Sequence, residues 1–334
     1  MKQADADRAR TPLILPSIYS PIQGDMDRVE EVFRAELCSD YPFVDGLLKH
    51  GFRLSGKRLR PALVLLSAKA CGTVRREHIV LAAAVEMIHT ATLIHDDVLD
   101  EATMRRHLDT VNARWDNETS VLLGDYLLTR ALCLTSSVDD VFACRAIGEA
   151  SRAMCEGELR QVGSRGNYAI SEQQYYGIIE GKTAALTACC CRLGAHYAGA
   201  AAPVENALAR YGLQLGVAFQ IADDLLDVLG DEATVGKSLG TDLLKQKSTL
   251  PLIRLLDQTP ADEKRTMLDQ LSNSNNHHRE LLRPWWDRSD AIAYSRAKAV
   301  QFSQLAFQEL DTLPPSPARD SLRDLTEFVA NREH

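Results

Sequence analysis

Residues 92–106 of the chain, TLIHDDVLDEATMRR, join an apolar run to three aspartates, a glutamate and a pair of arginines. The apolar residues before them recur at helical spacing, so the aspartates fall at the end of a predicted helix. Asp96 and Asp100 are one turn apart, which places both carboxylates on one face with their bases about 6 Å apart. Asp97 is rotated about 100° away and is expected to be a structural partner. Paired oxygen donors of this kind are what Mg²⁺ accepts, with water and substrate phosphates filling its other positions.

A second acidic motif supports a magnesium site. The stretch AFQIADDLLDVLGD, residues 218–231, repeats the spacing with Asp223, Asp224 and Asp227 after another apolar helical run. One copy alone is more simply a solvated acidic helix end, but two copies are rarely expected by chance in a chain of this length. If the two helices face each other across a cavity, the motifs would bind one polyanion through magnesium, and diphosphate is the expected ligand.

Two basic clusters could bind such a diphosphate. One is SGKRLRP, residues 55–61, in which the cations precede a helix start at Pro61, and the other is Arg105 with Arg106. Arginine offers a planar fork that fits phosphate oxygens. In isolation a solvated basic loop would be the simpler interpretation, but beside two acidic motifs an anion clamp is favoured.

Several polar residues share helical faces with the acidic motifs. His89 lies seven residues before Asp96, hence on nearly the same face and about two turns deeper. A lone helical histidine is more often a core residue, but the shared face favours ligand contact. Gln220 lies seven residues before Asp227 and hence on its face, while Lys182 and Thr183 lie in a helix of small residues. These three could steady a carbocation, or they could simply pack.

The composition limits the class of protein. The chain has 334 residues and a formal net charge of -8, which argues against a general nucleic-acid binder because phosphate neutralisation needs a basic surface. The N-terminal MKQADADRAR lacks an apolar signal region and no uninterrupted apolar run is long enough to span a membrane, so we expect a cytoplasmic protein. The eight cysteines fit reduced thiols. Cys189, Cys190 and Cys191 would point about 100° apart on a helix, which favours packing over a shared metal.

Helical periodicity dominates the chain and strand signals are scarce. No linker or change in composition divides it, so we predict a single all-α domain over residues 1–334, with residues 1–24 as a peripheral or poorly ordered segment. The polar stretch SNSNNHHRE, residues 272–280, is predicted as a long surface loop.

These motifs together resemble the trans-type polyprenyl diphosphate synthases, closest in pattern to the octaprenyl and solanesyl branch. The resemblance rests on SGKRLRP, EMIHTATLIHDDVLDEATMRR, VLLGDYLL, EGKTAAL, GVAFQIADDLLDVLGD and GKSLGTDLLKQKSTLPLI, in the family's order. It implies an isoprenoid-synthase bundle of antiparallel helices around a central active-site cavity, usually a homodimer. It also implies head-to-tail condensation of isopentenyl diphosphate with an allylic prenyl diphosphate such as farnesyl or geranylgeranyl diphosphate. Peripheral membrane contact during release of a long product is left open.

The resemblance assigns roles position by position. Asp96 and Asp100 would bind two Mg²⁺ ions and Asp223 a third, giving about three ions in each active site. Isopentenyl diphosphate would be held by Lys57, Arg60, His89 and Arg106, and the allylic diphosphate by Arg105. The leaving diphosphate and the developing cation would be stabilised by Lys182, Thr183, Gln220, Lys237 and Lys247.

The chain departs from the family's pattern in three loops. Ser55 replaces the first of two glycines before Lys57, His107 replaces the glycine that usually follows the paired arginines, and the usual glycine before Lys247 is missing. These departures weaken individual assignments in the loops without changing the reaction class.

Two other classes of protein fit these motifs less well. A terpenoid cyclase or head-to-head synthase also uses aspartate-rich magnesium sites, but it would not need the isopentenyl site that SGKRLRP and His89 indicate. A non-catalytic subunit is disfavoured because the chain keeps both aspartate sets. A catalytic subunit of a heteromeric synthase and a short-chain geranylgeranyl synthase stay open as alternatives.

The predicted product length depends on the two positions before the first acidic motif. In the family, bulky aromatic residues there close the cavity and give short products, whereas this chain has Ala91 and Thr92. We therefore expect a medium or long-chain product, and Ala91→Phe should shorten it. Chromatography of the dephosphorylated products tests both statements. An unchanged distribution would show that the chain grows past another wall, and a wild-type profile of farnesyl alone would contradict the prediction of length.

Overall fold

The computed structural model describes residues 14–54, 56–230, 240–273 and 278–330, which are almost entirely helical, so the predicted all-α class is confirmed. In chain order, the α-helices are α1 (Leu15–Ile18), α2 (Gln23–Glu36), α3 (Pro42–Leu54), α4 (Leu59–Cys71), α5 (Arg76–Leu99), α6 (Val111–Arg114), α7 (Asn117–Ser136), α8 (Val141–Gly163), α9 (Glu172–Ile179), α10 (Ala185–Tyr197), α11 (Ala202–Leu229), α12 (Thr241–Leu244), α13 (Leu250–Gln258), α14 (Ala261–Asn273), α15 (His278–Trp286), α16 (Ala291–Glu309) and α17 (Pro317–Ala330). Short 3₁₀ turns cover Ser20–Ile22 and Leu310–Thr312, and a π-helical turn covers Glu180–Ala184. Strands β1 (Met104–Arg105) and β2 (Leu108–Asp109) pair antiparallel.

The hydrophobic core is centred on α5. This helix packs against α2, α4 and α7, while α10 packs on both α4 and α11, and α11 packs against α16. Small side chains allow the helices to approach closely. At Gly194 on α10, an added Cβ would collide with the Val64 carbonyl of α4. The consecutive cysteines 189–191 are buried in the same core, as predicted from their helical positions.

Side-chain caps mark where several helices begin. Asp116 accepts a 2.6 Å hydrogen bond from the amide of Thr119 at the start of α7. Ser171 and Gln174 form a reciprocal capping box at the start of α9. Each cap satisfies amides that the first helical turn leaves without an intrahelical acceptor.

Among the described residues, one helix is long and apolar enough to cross a membrane, and it is α5. Its most apolar window has a mean hydropathy of 1.3, but 78% of that window is buried inside the protein. A helix that is apolar on most of its circumference fits the centre of a helical bundle equally well.

The prediction that the N-terminal segment is peripheral or poorly ordered is wrong for residues 14–24, the part that the structure describes. Ile18 and Ile22 are fully buried in the main core. Tyr19 donates a 3.1 Å hydrogen bond to the Lys57 carbonyl. The two short helices of this segment were missed because proline-broken runs of four and three residues have too little periodicity to be recognised.

The prediction of a surface loop over residues 272–280 is wrong at both ends of that stretch. Helix α14 continues to Asn273 and α15 begins at His278, so helical backbone enters the predicted loop from both sides. Residues 274–277 lie outside the described part of the chain.

We expect the stability of the fold to depend on pH through His78. This fully buried side chain accepts a 2.8 Å hydrogen bond from the Arg75 amide and lies 3.1 Å from the Gly194 carbonyl, to which its other nitrogen donates. Burial lowers the pKa of His78 below its ordinary value, although the Gly194 carbonyl opposes the change. The unfolded chain therefore binds the proton first, and the stabilisation present above about pH 6.5 is lost as the pH falls.

Comparing the wild type with His78→Gln isolates the contribution of His78 to the pH dependence of the free energy of unfolding. The free energy of unfolding, measured by urea titration between about pH 7.5 and 5.5, should fall more steeply for the wild type than for the variant, by up to about 1.4 kcal/mol per pH unit. Parallel curves for the two proteins would contradict the expectation.

Candidate active site

The first acidic motif ends α5 and continues into a hairpin. The Asp100 amide donates a 2.8 Å hydrogen bond to the Asp96 carbonyl, so the helical geometry extends to Asp100. Asp97 is buried and accepts hydrogen bonds from Nε and Nη2 of Arg105 at 2.9 and 2.7 Å. Asp97 is thus the structural partner that the sequence predicted. The predicted allylic ligand Arg105 is held by its Nε edge, and its Nη1 amino group is not part of this pair.

The hairpin that carries the paired arginines turns through two residues. Arg106 and His107 adopt positive φ angles of 52° and 61°, the backbone of a type I′ turn. Glycine or asparagine usually occupies such positions, so nothing in the sequence predicted this turn. Arg106 donates a 2.7 Å hydrogen bond to the Leu54 carbonyl, and its guanidinium lies so close to Gly56 that any side chain there would collide with it. The hairpin thereby brings Arg106 to the loop before α4.

Asp96 is half-buried and lies among charged residues. Burial raises its pKa, and Glu158 and Asp100 add to the rise, while Lys182 opposes it. A carboxylate in this situation gains stability from any additional cation nearby.

Lys182 and Thr183 lie in the π-helical turn between α9 and α10. Such turns widen the helix locally and are frequent at functional sites. Lys182 forms an ion pair with Glu158 and donates a 2.8 Å hydrogen bond to Gln161 Oε1. Thr183 donates a 2.7 Å hydrogen bond to Gln220 Oε1. The turn therefore connects α8 on one side with α11 on the other.

The second acidic motif is held by hydrogen bonds that the sequence did not predict. Asp224 accepts a 2.8 Å bond from Gln220 Nε2 and a 2.7 Å bond from the Tyr175 hydroxyl. Burial raises the pKa of Asp224 to about 8, and the nearby Asp242 adds to the rise. Asp227 is also buried, whereas Asp223 retains partial exposure. This arrangement leaves Asp223 as the more accessible carboxylate of the motif.

Lys247 joins the two acidic regions. Its ammonium lies 3.3 Å from an Asp100 carboxylate oxygen and 3.4 Å from Asp242. Asp242 in turn donates its backbone amide to Asp227, at 3.2 Å. Burial by itself lowers the pKa of Lys247, but Asp242 and Asp100 outweigh that effect and raise it. Lys247 is therefore a charged bridge between the end of α5 and the segment after α11, and Arg165 approaches Asp100 at 3.7 Å.

Three of the four predicted isopentenyl ligands, Arg60, His89 and Arg106, come together from α4, α5 and the hairpin. Burial lowers the pKa of His89 well below its ordinary value, and Arg60 and Arg106 lower it further, so the imidazole is neutral near pH 7. Burial also lowers the pKa of Arg60, against the opposing charge of Glu86. The Lys57 ammonium lies 5.7 Å from the Phe328 ring centroid. Helix α4 and the hairpin thus each place an arginine near one neutral histidine of α5.

The two predicted chain-length positions lie in α5. Ala91 is buried in α5, and Thr92 is partly buried with its hydroxyl donating to the His89 carbonyl at 2.8 Å. Lys237 lies outside the described residues. Helical spacing could have indicated Glu86, three residues before His89, and Tyr175, seven residues before Lys182. No sequence signal indicated Glu158 or Asp242.

The acidic residues fit a divalent cation shared with a ligand. Asp96, Asp100 and Asp223 supply hard oxygen donors, and the raised pKa of Asp96 reflects a carboxylate that further positive charge would stabilise. Within the described residues, no three His, Cys, Asp or Glu side chains converge to enclose a metal by themselves. That arrangement suits Mg²⁺, which usually takes one or two carboxylates and completes its shell with water and phosphates.

Comparison with known proteins places the chain among synthases of long isoprenoid chains. Residues 42–284 match the family model described as polyprenyl synthetase. The all-trans-nonaprenyl-diphosphate synthase (geranyl-diphosphate specific) of Rhodobacter capsulatus is 34% identical over 316 residues, which cover 94% of this chain and 97% of that protein. Heptaprenyl diphosphate synthase component 2 of Bacillus subtilis is 35% identical over 319 residues, covering 94% and 90%. The crystal structure of a polyprenyl synthase from Caulobacter crescentus, complexed with calcium and isoprenyl diphosphate, superposes with a TM-score of 0.92 at 32% identity, covering 97% of this chain and 100% of that one.

The close contact between α8 and the π-helical turn predicts that Gly157 is needed for activity. An added Cβ at Gly157 would meet the backbone of Lys182 and Ile178, so Gly157→Ala must displace the turn that carries Lys182 and Thr183. We expect a lower kcat and a loss of about 1–3 kcal/mol in the free energy of unfolding.

Gly148, on the same helix, provides the matched control. No atom lies within 4 Å of an added Cβ there, so Gly148→Ala should keep full activity and gain about 0.5–1 kcal/mol from helix propensity. Steady-state kinetics and thermal unfolding of Gly157→Ala and Gly148→Ala test these two expectations. Equal activity of the two would contradict the positioning of the turn by Gly157.

Proposed function

Because the chain belongs to the polyprenyl synthetase family, we propose that it is a trans-prenyltransferase that condenses isopentenyl diphosphate head-to-tail with an allylic diphosphate, making a medium or long all-trans polyprenyl diphosphate and releasing diphosphate. The observation that carries the proposal is the bridge from Asp100 through Lys247 to Asp242, which brings the two acidic regions together. His89, beside the basic cluster, lies on the same central helix, α5, as the first of these regions.

The basic cluster would bind isopentenyl diphosphate. Lys57, Arg60 and Arg106 supply the positive charge, and arginine forks suit the terminal phosphate oxygens. His89 is neutral near pH 7, so it would act as a hydrogen-bond donor and not as a further cation. Arg60 is partly buried, which strengthens its interaction with an anion.

The acidic motifs would bind the allylic diphosphate through Mg²⁺ held by Asp96, Asp100 and Asp223. When bound, magnesium supplies positive charge for the leaving diphosphate. Lys182 and Lys247 would add to that charge as the allylic C–O bond breaks. Thr183 and Gln220 present oxygen dipoles beside the developing carbocation.

The carbon–carbon bond then forms between the two bound substrates. The isopentenyl double bond attacks the allylic carbocation, and loss of a proton from the resulting cation restores an alkene. We assign the released diphosphate as the proton acceptor, since no protein base was indicated by the sequence. Arg105, held by Asp97, and Lys237 would contact the allylic diphosphate.

We further propose that the protein is a cytoplasmic homodimer. Helices α7 and α8 expose an apolar surface that a second copy could cover, and exposure of this kind often marks a protein interface. The exposed residues are Val121, Leu122, Leu132, Val141, Leu159 and Val162. A catalytic subunit of a heteromeric synthase is the alternative, favoured by the similarity to a protein described as component 2 of a heptaprenyl diphosphate synthase.

The function is tested by incubating the purified chain with labelled isopentenyl diphosphate, farnesyl diphosphate and Mg²⁺. We expect incorporation of label into extended products, loss of incorporation when EDTA removes the metal, and a dimeric mass by light scattering. Asp96→Asn should lower kcat strongly because the replacement amide is a weaker magnesium ligand.

Several outcomes would count against parts of the proposal. No incorporation with any allylic primer would overturn the prenyltransferase, unless activity appeared on adding a second protein, which would support the heteromeric alternative. Full activity in EDTA would contradict the magnesium requirement. A geranylgeranyl product alone would identify a short-chain synthase.

A further inference from the structure

Arg58, between the proposed ligands Lys57 and Arg60, has a different environment from either. Its backbone is left-handed, with φ 52°, at the position just before α4, and its carbonyl accepts the first helical hydrogen bond from Ala62 at 3.1 Å. A residue other than glycine is uncommon in this conformation and needs surrounding contacts to hold it there.

The Arg58 side chain supplies those contacts. Its Nε donates to Glu30 Oε1 at 2.5 Å and its Nη1 to Glu86 Oε1 at 3.1 Å. The guanidinium also lies over two aromatic rings, 4.7 Å from the centroid of Phe33 and 5.2 Å from that of Phe52. Two carboxylates accept from its donors and two rings lie against its faces, so this guanidinium is engaged in contacts within the protein.

Glu86 forms the buried half of this arrangement. Its side chain is 2% exposed, and its second oxygen, Oε2, has no hydrogen-bond partner within the described part of the chain. Three arginines, Arg58, Arg60 and Arg106, act electrostatically on this carboxylate and oppose the rise in pKa that burial causes. Glu86 is therefore placed to balance the positive charge beneath the isopentenyl subsite.

We propose that Arg58 and Glu86 are a positioning pair, which fixes the loop before α4 so that Lys57 and Arg60 meet the diphosphate, and that Arg58 is not itself a diphosphate ligand. The inference rests on the proposed function, because it concerns the isopentenyl subsite of that reaction. Glu86 acts through the arginines and touches neither substrate.

For Glu86→Gln, the positioning role and simple electrostatics predict opposite changes in diphosphate affinity. Glu86 is an anion below an anion-binding site, so Coulomb's law alone says that Glu86→Gln should tighten diphosphate binding. If Glu86 instead holds Arg58 and orients the loop, the same substitution should weaken it. The direction of the change thus separates positioning from charge alone.

The experiment is a double-mutant cycle of Glu86→Gln and Arg58→Met, read by calorimetric titration of isopentenyl diphosphate in the absence of any allylic substrate. No turnover occurs under these conditions, so the dissociation constant reports the subsite directly. We expect Glu86→Gln to weaken binding by roughly 10–100-fold, as loss of a residue that orients a ligand commonly does. Steady-state kinetics should show a raised KM for isopentenyl diphosphate with the KM for the allylic substrate little changed.

The cycle should also be strongly non-additive. Arg58→Met alone leaves a buried carboxylate without its partner, whereas the double variant removes both charges, so the double variant should bind better than Arg58→Met. Arg58→Lys keeps the charge but loses the fork that reaches two carboxylates, so its isopentenyl diphosphate affinity should be lowered as in the single variants. It replaces Arg58→Met in the cycle if Arg58→Met does not fold.

A remote arginine–glutamate pair supplies the control. Arg192 Nε donates to Glu205 Oε1 at 2.9 Å between α10 and α11, and Glu205→Gln should leave isopentenyl diphosphate binding unchanged. Tighter or unchanged binding in Glu86→Gln, or a double variant no better than Arg58→Met, would overturn the proposal while the wild type still binds. A wild type that binds no isopentenyl diphosphate would instead overturn the proposed function, and this inference with it.

Discussion

The buried ammonium of Lys247, 3.3 Å from Asp100 and 3.4 Å from Asp242, is the interaction on which the geometry of the site depends. Two helices that each end in several carboxylates repel one another when they approach in a partly dry cavity. A fixed cation between them converts that repulsion into attraction. The acidic end of α5 can therefore lie near the segment after α11 before any metal or substrate is bound.

The hydrogen bonds that follow from this contact extend through the rest of the site. Asp242 donates its amide to Asp227 in α11, and Asp224, one turn earlier, accepts from Gln220. Gln220 accepts a hydrogen bond from the Thr183 hydroxyl, so the second acidic motif and the π-helical turn are held in a fixed position relative to each other. A displacement at one end of this series is transmitted by packed, directional contacts, which is why a glycine on α8 can matter to the chemistry.

The sequence predicted the parts of the site that depend on helical period. It placed Asp96 and Asp100 on one face of a helix and identified Asp97 as a structural partner, because a rise and a rotation per residue are enough to assign faces. It missed the turn at Arg106 and His107, where contacts made elsewhere in the fold, such as the bond to Leu54, hold residues that rarely adopt a positive φ. The π-helical turn was also missed, since one wider turn leaves no periodic signature.

Prediction failed elsewhere for a related reason. The burial of residues 14–24 and the pairing of Asp242 with Lys247 are set by distant segments that meet only in the folded protein. The local pattern of apolar and polar residues contains no signal of such contacts. The site residues that the sequence did identify are those whose spacing along one helix already defines their relation.

Helix α5 then sets the distance between the two halves of the site. His89 and Asp96 are seven residues apart, so a straight helix separates them by about 10 Å along its axis, with both side chains on nearly one face. The buried alanines of α5 pack the helix rigidly in the core, so His89 and Asp96 keep this separation. With His89 and Asp96 held apart in this way, two diphosphate substrates have room to lie side by side, one at the basic cluster near His89 and the other at the acidic motif. That is the physical requirement for joining one to the other.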